Sequence, residues 1–195
     1  APFSIVSGTT NYFFYDTTSS QIQFTADSNV AIIYGDIQML DCSNNDTNIS
    51  GINIENNTDL VSLNVSNNNL TSLDVTKNIA LTKLNCANNS ITTINIENNI
   101  DLVSLNVSEN DLTDLDVTKN IALEELYCEN NQITTINIEN NTNLVSLNVS
   151  NNNLTDLDVT KNIALLSLNI NENNLTTLDV SNNTALKELY CASNS

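Results

Sequence analysis

A period of 21 residues runs through most of this 195-residue chain and limits what the chain can fold into. Each repeat follows the pattern LxxLxVxxNxLxxLDVxxNxA, and its fourth position is Leu in seven successive copies. A repeat this short cannot bury its own apolar residues, so successive copies must stack and share one core. The seven copies begin at Leu60, Leu81, Leu102, Leu123, Leu144, Leu165 and Leu186.

Two copies of a half-motif, LxVxxN, make up each repeat, as at 63–68 and 73–78. Alternation of apolar and polar residues over a few positions is typical of β-strands. We therefore predict a β-rich solenoid of about seven to eight coils, each with two short parallel strands and stacked at about 4.8 Å. An earlier coil begins at Ile37, so the predicted solenoid covers 37–195. Residues 1–36 lie outside the repeat, and their short alternating stretches predict a β-structured N-terminal cap or assembly segment.

Asparagine follows each half-motif and occupies 40 of the 195 positions. Where a chain leaves a strand, its backbone groups lose their ladder partners. A buried amide side chain can replace both donor and acceptor, and Asn tolerates left-handed backbone. We predict that both Asn columns are structural. The first column contains Asn68, Asn89, Asn110, Asn131, Asn152 and Asn173.

Composition excludes several functions. The net charge of −18 repels nucleic acid and anionic lipid surfaces, and no apolar run is long enough for membrane insertion. The chain has no His and no Arg, so the usual catalytic constellations cannot be assembled. We expect a non-enzymatic protein without a cofactor or metal site.

The segment LTSLDVTKNIALTKLNCANNSI, residues 70–91, resembles known leucine-rich repeats. It is similar to the 21-residue repeats of secreted and cell-surface proteins of Bacteroidota and to internalin-type repeats of Gram-positive bacteria. The resemblance covers 37–195, and some of these proteins also carry Cys at an inward position. It implies a recognition role on or outside a bacterial cell, and it names no ligand.

Four cysteines, Cys42, Cys86, Cys128 and Cys191, occupy a position that other coils fill with Val or Ile. Cys86 and Cys128 are two coils apart, about 10 Å, whereas a disulfide needs less than about 7 Å between Cα atoms. We predict that all four thiols are reduced and buried.

Charged residues also recur along the second half-motif. A column of aspartates, Asp74, Asp116, Asp158 and Asp179, predicts a solvated surface. Beside it, opposite charges alternate, and neighbouring coils are expected to form weak ion pairs. The alternating residues are Glu55, Lys77, Glu97, Lys119, Glu139 and Lys161.

The outward positions of the first strand vary more and predict a contact patch. Tyr127 with Glu125 and Glu129 is the leading candidate, because exposed Tyr combines a large ring with a polar tip. Tyr190 with Glu188 follows, and Lys83 adds a neighbouring charge. The alternative is that both Tyr side chains simply fill surface beside a Cys.

Two functions remain open. The first is an extracellular or cell-surface module that binds a protein or a glycan, as in adhesion. The second is a self-assembling filament subunit that stacks head to tail, because Leu186 and Leu189 have no following coil in this sequence. Phe13, Phe14 and Tyr15 are the expected apolar plug for that end.

Overall fold

The computed structural model describes residues 3–7, 10–14, 30–44 and 49–195, the first two segments as backbone. These residues form fourteen short strands and no helix. None of the strands is longer than five residues, because a turn follows each short apolar alternation. In chain order they are β1 Phe3–Ser7, β2 Thr10–Phe14, β3 Val30–Tyr34, β4 Met39–Asp41, β5 Gly51–Asn53, β6 Ser62–Asn64, β7 Leu73–Asp74, β8 Lys83–Asn85, β9 Ile94–Asn95, β10 Ser104–Asn106, β11 Glu125–Tyr127, β12 Ser146–Asn148, β13 Ser167–Asn169 and β14 Glu188–Tyr190.

One parallel sheet takes a strand from every coil. Its order is β4-β6-β8-β10-β11-β12-β13-β14. Leu105 lies opposite Leu84 of the preceding coil and Leu126 of the next, so the coils stack without offset. The 21-residue period fixes this register, because each coil returns the same repeat position to the same place. The predicted parallel β-rich solenoid is confirmed.

An Asx turn ends the strands of this sheet. In β10, Asn106 Oδ1 accepts the backbone N–H of Ser108 at 3.0 Å and its hydroxyl at 2.7 Å. The next residue, Glu109, is left-handed with φ of 53°. Together these features turn the chain off the sheet. The left-handed residues at this place are Asn44, Asn67, Asn88, Glu109, Asn130, Asn151, Glu172 and Ser193.

Left-handed backbone therefore precedes the first Asn column by one position and does not fall on the column itself. Asn110 follows the left-handed Glu109 and reaches into the turn. Its Nδ2 donates to the carbonyls of Cys86 at 3.0 Å and Val107 at 3.1 Å, and its Oδ1 accepts the N–H of Ile91 at 2.9 Å. The column thus links neighbouring coils. Its other members make the same bonds at Asn68, Asn89, Asn131, Asn152, Asn173 and Asn194.

The opposite side of the solenoid is less regular. Ladder pairing there joins β7 to β9 and β3 to β5. From residue 112 onward, the described second half-motifs form no strand. The prediction of two strands in every coil is therefore wrong for these coils, although the same Asx turn follows Leu73 in β7 and Leu115 here. One backbone bond per coil, such as Asp111 N–H to Ile91 O at 3.0 Å, joins the coils on this side.

The second Asn column shapes two consecutive turns. Asn120 N–H donates to Val117 O at 3.0 Å, and Leu123 N–H donates to Asn120 O at 3.1 Å. The Asn120 amide donates to Ile96 O at 3.0 Å and Asn99 O at 2.9 Å. Its Oδ1 is buried and finds no hydrogen-bond donor in the described part of the chain. The same holds for Asn57, Asn78, Asn99, Asn141, Asn162 and Asn183.

The N-terminal strands extend the second side at its first coil. β1 pairs antiparallel with β2 and with β3, and β3 pairs parallel with β5. The resulting sheet has the order β2-β1-β3-β5. The division into a segment 1–36 and a solenoid 37–195 stays a prediction.

Six apolar side chains per coil fill the core between the two sides. In the coil from residue 102 they are Leu102, Leu105, Val107, Leu112, Leu115 and Val117, all buried. Each contributes about 1.5–3 kcal/mol on burial. The equivalent residues of successive coils form one continuous cluster, so each coil is stabilised mainly by its neighbours.

Candidate functional site

Two rows of side chains point outward from the eight-stranded sheet, on either side of its buried Leu column. The first row contains Ser62, Lys83, Ser104, Glu125, Ser146, Ser167 and Glu188. The second contains Asn64, Asn85, Asn106, Tyr127, Asn148, Asn169 and Tyr190. The first strand, β4, contributes Met39 and Asp41 to these rows. In the coils that follow, Ser and Asn dominate both rows, and the predicted contact residues are the exceptions.

Asparagines in the second row serve the fold. Asn148 Oδ1 accepts the Ser150 N–H at 3.1 Å, and Asn169 Oδ1 accepts the Asn171 N–H at 3.1 Å. An Asn at this position therefore stabilises the turn that ends its strand.

Tyr127 cannot play that structural role, because its phenol is too long to accept the backbone N–H of the residue two positions later. Glu129 replaces the missing acceptor with its own carboxylate, which is hydrogen-bonded to its backbone N–H. At Tyr190 the replacement comes from the preceding coil, where Asn171 Oδ1 accepts the Ala192 N–H at 2.7 Å. Both Tyr rings are thus free of a turn function, and each needs a substitute acceptor elsewhere.

Glu129 stands in an unusual environment for a carboxylate. The same repeat position holds Ser108 and Ser150 in the adjoining coils. Glu129 is half-buried, and its Oε2 finds no hydrogen-bond donor among residues 30–44 and 49–195. Burial raises the pKa of the Glu129 carboxyl, the hydrogen bond from its own N–H opposes the rise, and the Glu109 carboxylate adds to it. A buried carboxylate oxygen without a donor opposes folding while it is charged.

Serines of the preceding strands hold two further carboxylates in place. Ser104 Oγ donates to Glu125 Oε2 at 2.9 Å, and Ser167 Oγ donates to Glu188 Oε2 at 3.1 Å. Each Glu therefore lies beside its Tyr in a fixed position on the sheet.

The predicted contact residues do not form one patch. Lys83 and Tyr127, two strands apart, line a shallow depression of about 240 Å³ together with Ser62, Ser104 and Asn106. Tyr190 lies three strands beyond Tyr127, on the edge strand β14. The structure thus joins Lys83 to the Tyr127 group and separates Tyr190 from it.

Three of the four cysteines lie in the core. Cys42, Cys86 and Cys128 are buried, and all four thiols are free. Burial raises the pKa of the Cys86 thiol to about 12 and raises those of Cys42 and Cys128 further. The expected burial is wrong for Cys191, which directly follows the edge strand β14 and is exposed. Among the described residues, no three His, Cys, Asp or Glu side chains lie close enough together to hold a metal ion.

The charged columns differ from the expectation. Asp116 Oδ1 accepts the Thr118 N–H at 2.9 Å and the Thr118 hydroxyl at 2.6 Å, so it is exposed but part of a turn. These two bonds lower its pKa, and nearby Lys119 assists.

The alternating Glu and Lys side chains form no ion pair in 49–195, since Glu97 and Lys119 occupy adjacent repeat positions and so lie in different columns.

The predicted assembly residues are described in part. Leu189 on β14 is 41% exposed, and Leu186 is half-buried against the core. Phe13 and Phe14 lie on β2, described as backbone, and Tyr15 lies outside the described residues.

Sequence reasoning missed an exposed apolar column on the other side. Ile79, Ile100, Ile121 and Ile163 are each more than half exposed. The signal was present in the sequence, because other coils place Thr at this position, as at Thr142.

Comparison with known proteins agrees with this architecture. Residues 143–161 match the family model described as Leucine Rich Repeat. The solved structure of internalin C2 from Listeria monocytogenes is 25% identical, with a TM-score of 0.75 over 81% of this chain and 72% of that one. The chain has a leucine-rich-repeat fold. No curated protein sequence matches it with significance.

Two further similar structures are of longer leucine-rich-repeat proteins. The functional domain of InlJ from Listeria monocytogenes, which includes a cysteine ladder, is 34% identical with a TM-score of 0.65. That match covers 81% of this chain and 40% of InlJ. The leucine-rich effector YopM from Yersinia pestis shows the shared fold at 24% identity and a TM-score of 0.74, over 90% of this chain and 49% of YopM. The chain therefore spans less than half the length of these two structures.

Leucine-rich-repeat proteins bind other proteins and are generally non-enzymatic. No helix in the described ranges is both long and apolar enough to cross a membrane.

Proposed function

We propose that this chain is a protein-binding module and that Tyr127 on the outward sheet face is its main contact residue. One observation carries the proposal. The coil from residue 123 replaces the repeating Ser and Asn of both outward rows with Glu125 and Tyr127, while Glu129 takes over the lost turn bond. A side chain that the fold does not need, placed with a compensating change beside it, is best explained by recognition.

The chemistry of this site favours a basic partner. Tyr127 is flanked by Glu125 in its own strand and by Glu129 two residues later, and Glu109 is close enough to raise the Glu129 pKa. A Lys or Arg side chain would pair with these carboxylates and could stack on the ring. The partner we propose is therefore a protein with a basic surface, and a neutral glycan is the alternative.

The proposal includes a location outside a bacterial cell, as in adhesion. Similarity to internalin structures supports it. Labelling of intact cells of the source organism with an antibody against the repeats tests it, and labelling that needs permeabilised cells would contradict it.

A triple variant tests the binding face. Glu125→Ser, Tyr127→Asn and Glu129→Ser give this coil the outward residues of the coil from 144, so the fold is retained. The matched control, Glu97→Thr with Glu139→Thr, removes two carboxylates from the other side and installs the Thr found at Thr118. Both variants and the unchanged chain are applied to protein and glycan arrays.

We expect the unchanged chain and the control to bind the same basic proteins, and the triple variant to bind them at least about tenfold more weakly. Equal binding by all three would disprove the assignment of the face. Binding to neutral glycans that only the triple variant loses would favour the glycan alternative.

A second candidate function is head-to-tail stacking of subunits. The exposed Leu189 on the edge strand β14 favours it, because an uncovered edge presents unpaired backbone groups and apolar surface together. A copy of this chain or further chain would cover it. If subunits stack, electron microscopy shows filaments that Leu189→Asp abolishes; dispersed particles at all concentrations would exclude stacking for this chain.

A further inference from the structure

An isoleucine ridge lies on the second side of the solenoid, defined by Ile79, Ile100, Ile121 and Ile163. Their exposed fractions are 59%, 54%, 57% and 61%. The first three occupy successive coils, so they form a continuous row with steps of about 4.8 Å. Thr142 interrupts the row before Ile163.

Turn geometry directs these side chains outward. Leu123 N–H donates to Asn120 O at 3.1 Å, which places Ile121 and Ala122 in the middle of a tight turn. The fold does not require Ile there, since Thr142 and Thr184 occupy the equivalent position in other coils. Single exposed apolar residues are ordinary, but a row of large ones at a tolerant position indicates a contact surface.

Charge distinguishes this ridge from the rest of the molecule. Lys77, Lys119 and Lys161 each precede a ridge Ile by two residues, so three of the five basic residues of a chain with net charge −18 flank the ridge. Between Ile100 and Ile121 lies an open depression of about 590 Å³, lined also by Asp101, Lys119 and Ala122. One charge of each sign therefore borders the same apolar depression.

We propose that the isoleucine ridge is a self-association surface that takes a second copy of this chain, antiparallel and related by a two-fold axis through the depression. In such a contact each copy presents the same patch, so Ile100 packs against Ile121 of the other copy. Asp101 then faces Ala122 of the other copy, which occupies the same repeat position one coil later. No two charges of the same sign therefore meet at the depression.

Two physical reasons favour a second copy as the occupant. Two chains of net charge −18 repel each other, and the lysine-flanked ridge is where that repulsion is weakest. A second solenoid also has the same coil spacing, so its ridge stays in step along the row, whereas a helix rises 5.4 Å per turn. The ridge spans only about 20 Å, so the dimer is weak and forms at high protein concentration.

Sedimentation velocity of the full 195-residue chain tests the proposal between about 10 μM and about 1 mM at physiological salt. We expect concentration-dependent dimerisation. Ile121→Asp raises the dissociation constant at least about tenfold, because it places a charge in the apolar contact of two acidic molecules. Thr184→Asp, at the same turn position but outside the ridge, is the matched control and leaves dimerisation unchanged. Thermal unfolding of each variant checks that the fold is retained.

Two variants of Ala122 test the symmetry. Ala122→Lys places an ammonium group opposite Asp101 of the other copy and strengthens the dimer, whereas Ala122→Asp places a second carboxylate there and weakens it. Monomers at all concentrations would overturn the proposal, as would equal effects of Ile121→Asp and Thr184→Asp or equal dimerisation of the two Ala122 variants. Self-association lost only in Leu189→Asp would assign the contact to stacked ends instead. None of these outcomes bears on the Tyr127 face, whose variants are measured separately.

Discussion

Asn110 fastens the backbone of one coil to the next, with its Nδ2 3.0 Å from Cys86 O and its Oδ1 2.9 Å from Ile91 N. Asn120, the equivalent residue of the second column, uses its amide alone and leaves Oδ1 buried without a donor in the described chain. The two columns look alike in the sequence. They satisfy the backbone to different degrees, so their removal should cost different amounts of stability.

Asn110→Ala should destabilise the protein more than Asn120→Ala. The first change leaves the buried Ile91 N–H and several carbonyls without a hydrogen-bond partner, at a cost of about 2–4 kcal/mol. The second change also leaves carbonyls without a donor, but the oxygen that it removes was already unsatisfied. We therefore expect about half the loss of stability. Urea unfolding midpoints measure both, with the exposed Asp111→Ala as control. Equal losses at Asn110 and Asn120 would contradict this account of the columns.

One thiol of the native protein should react with a thiol reagent at mildly alkaline pH, and four should react after unfolding. Burial keeps the Cys86 thiol protonated, with a pKa of about 12, and shields Cys42 and Cys128 as well. Cys191 is exposed and supplies the reactive group. Counting thiols by absorbance or mass checks this, and Cys191→Ser should abolish native labelling. Two or more reactive thiols in the native state would show that the core is open.

Acid should weaken the fold partly through the aspartate turns. Hydrogen bonds from Thr76 and Thr118 lower the pKa of Asp74 and Asp116 in the folded protein, and Thr160 and Ser181 do the same for Asp158 and Asp179. A lowered folded pKa gives stability that is present above the ordinary Asp value and is lost as the pH falls through the folded value. The four-fold Asp→Asn variant, with the amide seen at Asn95, should therefore lose less stability than the unchanged chain between about pH 7 and about pH 2.

Melting temperatures across this pH range measure the effect of those four changes. The matched control carries Asn at four exposed aspartates that accept no such Thr or Ser bond in the described structure, namely Asp59, Asp111, Asp114 and Asp156. Identical pH profiles for the two four-fold variants would rule out a special contribution of the turns.

Glu129→Gln should stabilise the protein at neutral pH, with the opposite sign of pH dependence. Burial raises the pKa of this carboxyl, so its charged form opposes folding above the ordinary Glu value, and the cost disappears once acid protonates it. Because Glu129 is only half-buried, the gain is below about 1 kcal/mol. Denaturation at about pH 7 and about pH 3 measures it, with the exposed Glu125→Gln as control. A loss of stability at neutral pH would mean that the carboxylate is better satisfied than its unpaired Oε2 implies.

Much of the solenoid could be predicted because its information is periodic. The spacing of Leu84, Leu105 and Leu126 sets coil length, register and core at once, since only one stacking brings identical positions together. The candidate contact group could be proposed from the sequence for a related reason. Tyr127 and Glu125 depart from a repeating background, and departures can be read without coordinates.

The sequence alone determined the length of a coil, most of the inward residues and the first sheet, because each follows from a 21-residue repeat that must bury apolar side chains. Only the tertiary structure decided how each coil closes. It placed the left-handed residue at Glu109 rather than Asn110, left the second half-motif mostly without ladder pairing, and turned Ile121 outward into solvent. These outcomes depend on which backbone groups find partners in the coil before or after. An apolar residue in a repeat does not by itself show whether its side chain faces the core or the solvent. That orientation depends on the hydrogen bonds of the turn in which the residue lies.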